Sequence, residues 1–178
     1  MDRYVKLAKD SLEYYVKYGR KYEDLRDLPA EMLENQRGIF VSLKKDGNLR
    51  GCIGTIEPSR ENIAKEIIQN AVWAGMQDPR FDPVTEDELE QLVYSVDVLY
   101  PPEEITSKEE LNISKYGVIV SIGQRHGLLL PNLEGVDSVE QQIEISLMKA
   151  GIGKEEKYSM KRFEVVRHKM LGNDEQAD

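Results

Sequence analysis

Cysteine and histidine are scarce in this sequence, and their scarcity excludes two kinds of protein. The 178 residues include one cysteine and two histidines. A single thiol forms no disulfide within the chain, which excludes a small secreted domain held together by disulfides. It also excludes a structural zinc site made of four thiolates, or of two thiolates and two imidazoles, within one chain. Any thiol chemistry of this chain therefore belongs to Cys52.

Basic residues are outnumbered, and long apolar runs are lacking. Lysine and arginine number 24 against 33 acidic residues, so the formal net charge is −9. This acidic surplus disfavours binding to nucleic acid, which usually requires a basic surface. The apolar runs fall far short of the ~20 residues that cross a bilayer, and no signal peptide is visible. The sequence therefore predicts a soluble cytoplasmic protein without a membrane partner, and it leaves the oligomeric state open.

What is present favours one domain of alternating helices and strands. Apolar residues make up 40% of the chain and charged residues 32%, which suits a packed core with a solvated surface. Periodicity, caps and turn signals predict the elements. In chain order these are a helix over 4–18, a helical turn over 30–33, strands over 39–43 and 49–56 joined at Asp46-Gly47, a helix over 60–76 capped by Ser59, a short helix over 86–91 with a Thr85–Glu88 capping box, strands over 92–100, 117–122 and 128–130, a helix over 138–150 stopped by Gly151, a strand over 162–169, and a disordered tail over 172–178.

A short internal similarity predicts a duplicated architecture. Gly38–Leu43 and Gly117–Ile122 share three identical residues, and their other three positions exchange one apolar residue for another. Each segment opens the order strand, strand, helix, strand. The alternative is chance, because strands reuse few residue types. With duplication, the fold class is α+β, with mainly antiparallel sheets packed against helices and two lobes at roughly 1–100 and 101–171. A cleft between such lobes is a favoured place for a ligand.

The segment around Cys52 supplies the first candidate site residues. In a strand, alternation would place Arg50 and Cys52 on one face. A neighbouring guanidinium favours the thiolate and raises its reactivity. Gly51 and Gly54 flank the thiol and would let a ligand approach the backbone closely. The alternative is that Cys52 is a small buried apolar residue, which is the commoner role of a lone cysteine.

A second segment, Asp78–Val84, combines two carboxylates, an arginine and an aromatic ring between prolines. Stiff loops position functional groups well, so Arg80 would hold an anionic group and Asp78 would orient an arginine. A rigid structural connector is the alternative. The two histidines, His126 in a turn and His168 at a strand end, are weak candidates for a catalytic base. No motif for a phosphate, a dinucleotide or a metal is present, so no cofactor is predicted.

Four segments together resemble the AMMECR family over roughly residues 5–170. They are the hallmark Leu49–Gly54, Asp78–Phe81, Gly127–Pro131 and Lys149–Gly151. The resemblance implies an α+β fold with a duplicated strand-and-helix unit and an exchanged terminal strand. It also implies an association with a Memo-like protein and a radical S-adenosylmethionine protein. Leu147 stands where many members of the family carry a second cysteine, which argues against chemistry that needs two thiols.

Three functions remain open at this stage. The favoured one is an accessory or interaction module for the Memo-like and radical S-adenosylmethionine proteins. The second is an enzyme or small-ligand-binding protein, with Cys52 as the nucleophile and Arg50, Gly51, Gly54, Asp78 and Arg80 as ligand contacts. The third, nucleic-acid binding, is disfavoured by the net charge of −9.

Overall fold

The computed structural model describes residues 1–170 and divides them into two compact units. Unit one comprises Met1–Leu99 together with the described residues from Val166 onward, and unit two comprises Tyr100–Val165. The tail that the sequence predicts to be disordered, over 172–178, lies outside the described residues. Each unit has its own group of buried apolar side chains.

Unit one is built on a three-stranded antiparallel arrangement with helices packed against one face. In chain order its elements are α1 (Arg3–Tyr18), α2 (Ala30–Glu34), β1 (Gly38–Lys45), β2 (Asn48–Thr55), α3 (Ile63–Met76), a 3-10 helix (Glu86–Gln91) and β3 (Leu92–Leu99). Strand β1 pairs with β2 on one side and with β3 on the other. Alternate residues of β1, namely Ile39, Val41 and Leu43, are fully buried, because one face of the strand lies against the helices.

Helix boundaries in unit one follow local chemistry. The Asp2 carboxylate accepts hydrogen bonds from the first backbone N–H groups of α1, and Gly19 ends that helix with a φ of 66°. The expected cap at Ser59 is wrong. Asn62 caps α3 by accepting from the Lys65 N–H, while the Ser59 hydroxyl and N–H both donate to Glu66.

Unit two repeats the same order of elements on a smaller scale. Its elements are β4 (Glu103–Ile105), a 3-10 helix (Lys108–Glu110), β5 (Tyr116–Ile122), β6 (Arg125–Leu129), α4 (Val139–Ala150) and β7 (Ser159–Lys169). Strand β5 pairs antiparallel with β6 and β7, and β4 pairs with β7. The last residues of β7, from Val166, belong to unit one, where Met170 donates a backbone hydrogen bond to Tyr94.

The order strand, strand, helix, strand therefore occurs twice, as β1-β2-α3-β3 and as β5-β6-α4-β7. In each copy a glycine of the second strand lies against backbone of the helix. A Cβ atom added to Gly51 would lie 2.1 Å from the Ala74 carbonyl oxygen, and one added to Gly127 would lie 2.2 Å from that of Ser146. The predicted α+β fold with antiparallel strands is confirmed.

Three local predictions for unit two differ from the structure. His126 lies within β6 rather than in the turn, opposite Ser121, because the turn closes at Gly123, whose φ is 59°. Strand β7 begins at Ser159, three residues before the predicted start, and β4 with its 3-10 helix was not predicted. The early start of β7 follows from its pairing with β5, which extends to Ser121 opposite Ser159, and β4 is defined by its pairing with β7. Within the described residues, no helix is long and apolar enough to span a membrane.

Candidate functional site

Cys52 lies in the middle of β2, with its sulfur and its backbone engaged by different neighbours. It is opposite Ser42 of β1, and the Ser42 hydroxyl donates to the Cys52 Sγ over 3.3 Å. The Cys52 N–H donates to the Asp78 Oδ2 over 3.0 Å. Among the described residues, β2 pairs only with β1 and is an edge strand. The Asp78 carboxylate, which follows α3, therefore satisfies one backbone N–H of this edge.

Asp78 and Arg80 form a compact ion pair next to this contact. The Arg80 Nε donates to Asp78 Oδ1 over 3.0 Å, its Nη2 donates to Oδ2 over 2.8 Å, and the Arg80 N–H donates to Oδ1 over 3.0 Å. The Asp78 side chain is 2% exposed, whereas that of Arg80 is 57% exposed. The buried carboxylate therefore holds a guanidinium that presents most of its surface to solvent.

Arg50 is held by a different carboxylate. The register between β1 and β2 shifts after Leu43, so that Arg50 has no opposite residue in β1. The Arg50 Nε and Nη2 donate to the two oxygens of Glu88 over 3.0 and 3.1 Å. Lys45 also donates to Glu88, over 3.1 Å. The arginine that acts electrostatically on the thiol is Arg80.

Phe81 connects the two arginines. Its ring centre lies 5.5 Å from the Cζ of Arg80 and 6.0 Å from the Cζ of Arg50, which is the range of cation–π contact. The Nη1 of Arg50 is buried and lacks a hydrogen-bond partner. The predicted residues Arg50, Cys52, Asp78 and Arg80 thus form one neighbourhood, in which each arginine has its own carboxylate.

The ionisation of the site follows from these contacts. Burial raises the pKa of the Cys52 thiol, and the Ser42 hydrogen bond and the Arg80 charge offset this only in part. The hydrogen bonds from Arg80 lower the pKa of Asp78. Those from Arg50 lower the pKa of Glu88 to about 2. These shifts favour ionised carboxylates and a protonated thiol at neutral pH.

Gly51 and Gly54 are required by packing within the protein. A Cβ atom on Gly54 would lie 2.2 Å from the Phe40 ring, and one on Gly51 would lie against the Ala74 carbonyl oxygen. At each glycine, the space that a side chain would fill is therefore taken up by protein atoms. The sequence predicts a ligand in such a position. Contact of either glycine with a ligand stays a prediction.

Three residues that the sequence did not single out belong to this neighbourhood. Ser42 binds the sulfur. Counting the hairpin register from the Asp46-Gly47 turn would place Gly51 opposite Ser42, and only the register shift after Leu43 brings Cys52 there. For Glu88 the sequence predicts only a capping box, which the residue does form with Thr85. Asp97 of β3 is 2% exposed, and its charge raises the pKa of Cys52. No local signal distinguishes Asp97 from a surface acid.

The histidines supply no base to Cys52. His168 Nδ1 lies 2.7 Å from the Asp2 Oδ2, and its ring stacks on Tyr4 with the ring centres 3.9 Å apart. His126 is exposed, and its Nδ1 lies 3.2 Å from the Gln124 carbonyl oxygen. Among residues 1–170, no group of three or more histidine, cysteine or acidic side chains is arranged to hold a metal ion.

We expect Cys52 to react slowly with iodoacetamide. Because burial raises the thiol pKa and the thiolate is the reactive form, the folded chain should be alkylated at pH 7.5 more slowly than the urea-unfolded chain. Mass spectrometry over a time course measures both rates. A folded rate above the unfolded rate would show that the thiol is activated.

These features define an α+β protein with a duplicated strand-and-helix unit and an arginine–carboxylate site around a protonated thiol. The AMMECR1 family model matches residues 5–168, and the chain belongs to this family. A protein of Thermotoga maritima is 49% identical over 168 residues, which cover 93% of this chain and 97% of the relative. Uncharacterized protein PH0010 of Pyrococcus horikoshii has the same fold, with a TM-score of 0.84 at 32% identity, over 92% of this chain and 88% of that one.

The size of the relatives differs. Protein CA_C1420 of Clostridium acetobutylicum is 56% identical over 169 residues, which cover 94% of this chain and 36% of that relative. The chain therefore spans about a third of the length of this relative and nearly the whole of the Thermotoga protein. The domain occurs both by itself and within a longer polypeptide.

Proposed function

We propose that this chain is an accessory binding module that acts on a partner protein and carries out no chemistry of its own. One observation carries the proposal, namely that the reactive groups of the site are already engaged. The Asp78 and Glu88 carboxylates are each held by an arginine, and the Cys52 thiol is protonated at neutral pH. General acid–base or nucleophilic catalysis needs a group whose pKa lies near the working pH.

The lengths of the relatives support a module. A domain that makes up 36% of one relative and 97% of another is one that can be joined to further protein or act beside it. The family resemblance suggests the Memo-like protein and the radical S-adenosylmethionine protein as partners. A partner surface that carries a carboxylate would suit Arg80, because a guanidinium binds carboxylates in a bidentate fork.

A second candidate is a small anionic ligand bound by the same arginines. The buried Nη1 of Arg50 lacks a hydrogen-bond partner, and an anion near Phe81 would supply one. This alternative uses Arg50 and Arg80 as ligand contacts, with Cys52 beside them. It differs from the first candidate function in that a small molecule, rather than a partner protein, would bind the arginines.

We expect the purified chain to bind the Memo-like or the radical S-adenosylmethionine protein of its own genome in isothermal titration calorimetry. Arg80→Gln should weaken the binding about tenfold, the loss of one charge-assisted contact. Arg26→Gln is the matched control, because Arg26 is held by Asp24 through the same three hydrogen bonds on an exposed loop. The proposal would be contradicted if the chain bound neither protein, or if both variants lost the same amount of affinity.

A further inference from the structure

Unit one contains a pocket of about 200 Å³, separate from the Cys52 neighbourhood. It is bounded by the last turn of α1, by the segment after α1, and by one side of α3 with the residues that flank it. Its apolar part comes from Tyr15, Ile68, Val72 and Trp73. This volume is below the range of pockets for drug-sized ligands, so it suits a smaller ligand.

The polar part of the pocket has an unusual charge for this protein. The chain carries nine more acidic than basic residues, yet the pocket is lined by two cations, Lys21 and Arg60, and by no carboxylate. The amides of Gln69 and Gln77 complete the lining. A positive cavity in an acidic protein attracts anions selectively.

Arg60 is fixed in place without having its charge neutralised. Its Nε donates to the Gln69 Oε1, and the Gln69 Nε2 donates in turn to the Ser59 hydroxyl over 3.3 Å. In contrast, Arg26, Arg50 and Arg80 each bind a carboxylate through Nε and Nη2. Within residues 1–170, neither Arg60 nor Lys21 forms an ion pair, so both charges are available to a ligand.

We propose that this pocket binds a small aromatic carboxylate or phosphate. The rings of Tyr15 and Trp73 provide aromatic surface for the planar part of the ligand. Lys21 and Arg60 bind its anionic group, and the two glutamine amides supply further hydrogen bonds. The proposal does not depend on the function of the Cys52 neighbourhood, because none of its residues takes part in that site.

Trp73 makes the proposal directly testable, because it is the chain's single tryptophan and it lines the pocket. The probe is 3-phenylpropionate, titrated against the intact chain while the fluorescence of Trp73 is recorded. We expect a saturable change, with an affinity about tenfold higher than that of the neutral isostere 3-phenylpropanamide. Phenyl phosphate, titrated in the same way, tests whether the pocket prefers a phosphate. Affinity for either anion should fall as salt is raised.

Substitutions distinguish binding in the pocket from a general effect of the protein's charge. Lys21→Gln and Arg60→Gln should each weaken 3-phenylpropionate about fivefold or more. Lys44→Gln, at an exposed position of β1 outside the pocket, removes the same charge and should change nothing. Circular dichroism verifies that each variant is folded, and saturation-transfer NMR on the phenyl protons gives the same ranking without the tryptophan. Equal affinity for the acid and the amide, no saturable response to either anion by both methods, or an equal effect of Lys44→Gln would overturn the proposal.

Discussion

Asp78→Ala is expected to lower the free energy of unfolding by about 2 kcal/mol, because it removes a buried carboxylate that accepts backbone and side-chain hydrogen bonds. Asp78 is 4% exposed and accepts four hydrogen bonds, one from the Cys52 N–H and three from Arg80. Alanine removes all four and leaves the Cys52 N–H without its acceptor. Urea unfolding followed by circular dichroism measures the change, with an unchanged m-value indicating that the same surface is exposed.

Asp24→Ala is the matched control for this experiment. Asp24 accepts the same three hydrogen bonds from the residue two positions later, Arg26, but it lies in an exposed loop and has no contact equivalent to Cys52. We expect no resolvable change in stability, because exposed ion pairs contribute little. A loss at Asp24 equal to that at Asp78 would show that the local arginine turn, rather than burial and the link to β2, stabilises the fold.

The same carboxylate makes stability depend on pH in a defined direction. Hydrogen bonds from Arg80 lower the pKa of Asp78 below its ordinary value of 3.8. The contribution of Asp78 is therefore complete above about pH 4 and is lost as the pH falls towards its folded pKa. The free energy of unfolding of Asp78→Ala should fall less between pH 5 and pH 2.5 than that of the wild type. Glu88, whose folded pKa is about 2, contributes with the same sign in both proteins.

Parts of the fold that depend on neighbours in sequence were predicted correctly. The Asp46-Gly47 turn has positive φ at both residues, 52° and 78°, as a two-residue hairpin requires. Gly19 and Gly151 both end their helices in the left-handed conformation. Each of these features is decided within a few residues, so composition and spacing are sufficient to indicate it.

For the candidate site, the sequence predicts which residues take part but not the contacts between them. The hydrogen bond between Asp78 and the Cys52 N–H joins residues 26 positions apart, and no local pattern encodes that separation. The bulge at Arg50 shifts the hairpin register so that Cys52 lies opposite Ser42, and a bulge is not visible in an alternating pattern. Which carboxylate holds which arginine is decided by tertiary packing.

Glu66→Ala is expected to have the largest effect on stability, a loss of about 4 kcal/mol. Glu66, in the first turns of α3, is fully buried. Its two oxygens accept hydrogen bonds from the N–H and hydroxyl of Ser59, the N–H of Arg60 and the hydroxyl of Thr55, at 2.6 to 3.0 Å. Alanine would leave two backbone donors of the segment before α3 without an acceptor. Urea unfolding measures the loss.

Glu66→Gln distinguishes loss of hydrogen bonds from loss of volume. The amide keeps one oxygen for the backbone N–H groups of Ser59 and Arg60, and its NH₂ group can donate to the hydroxyls that previously donated to the carboxylate. We therefore expect a loss of about 1–2 kcal/mol, well below that of alanine. Glu61→Ala, an exposed neighbour paired with Lys65, should cost less than about 1 kcal/mol. If glutamine is as destabilising as alanine, the negative charge at this position, rather than its hydrogen-bonding capacity, holds the segment before α3.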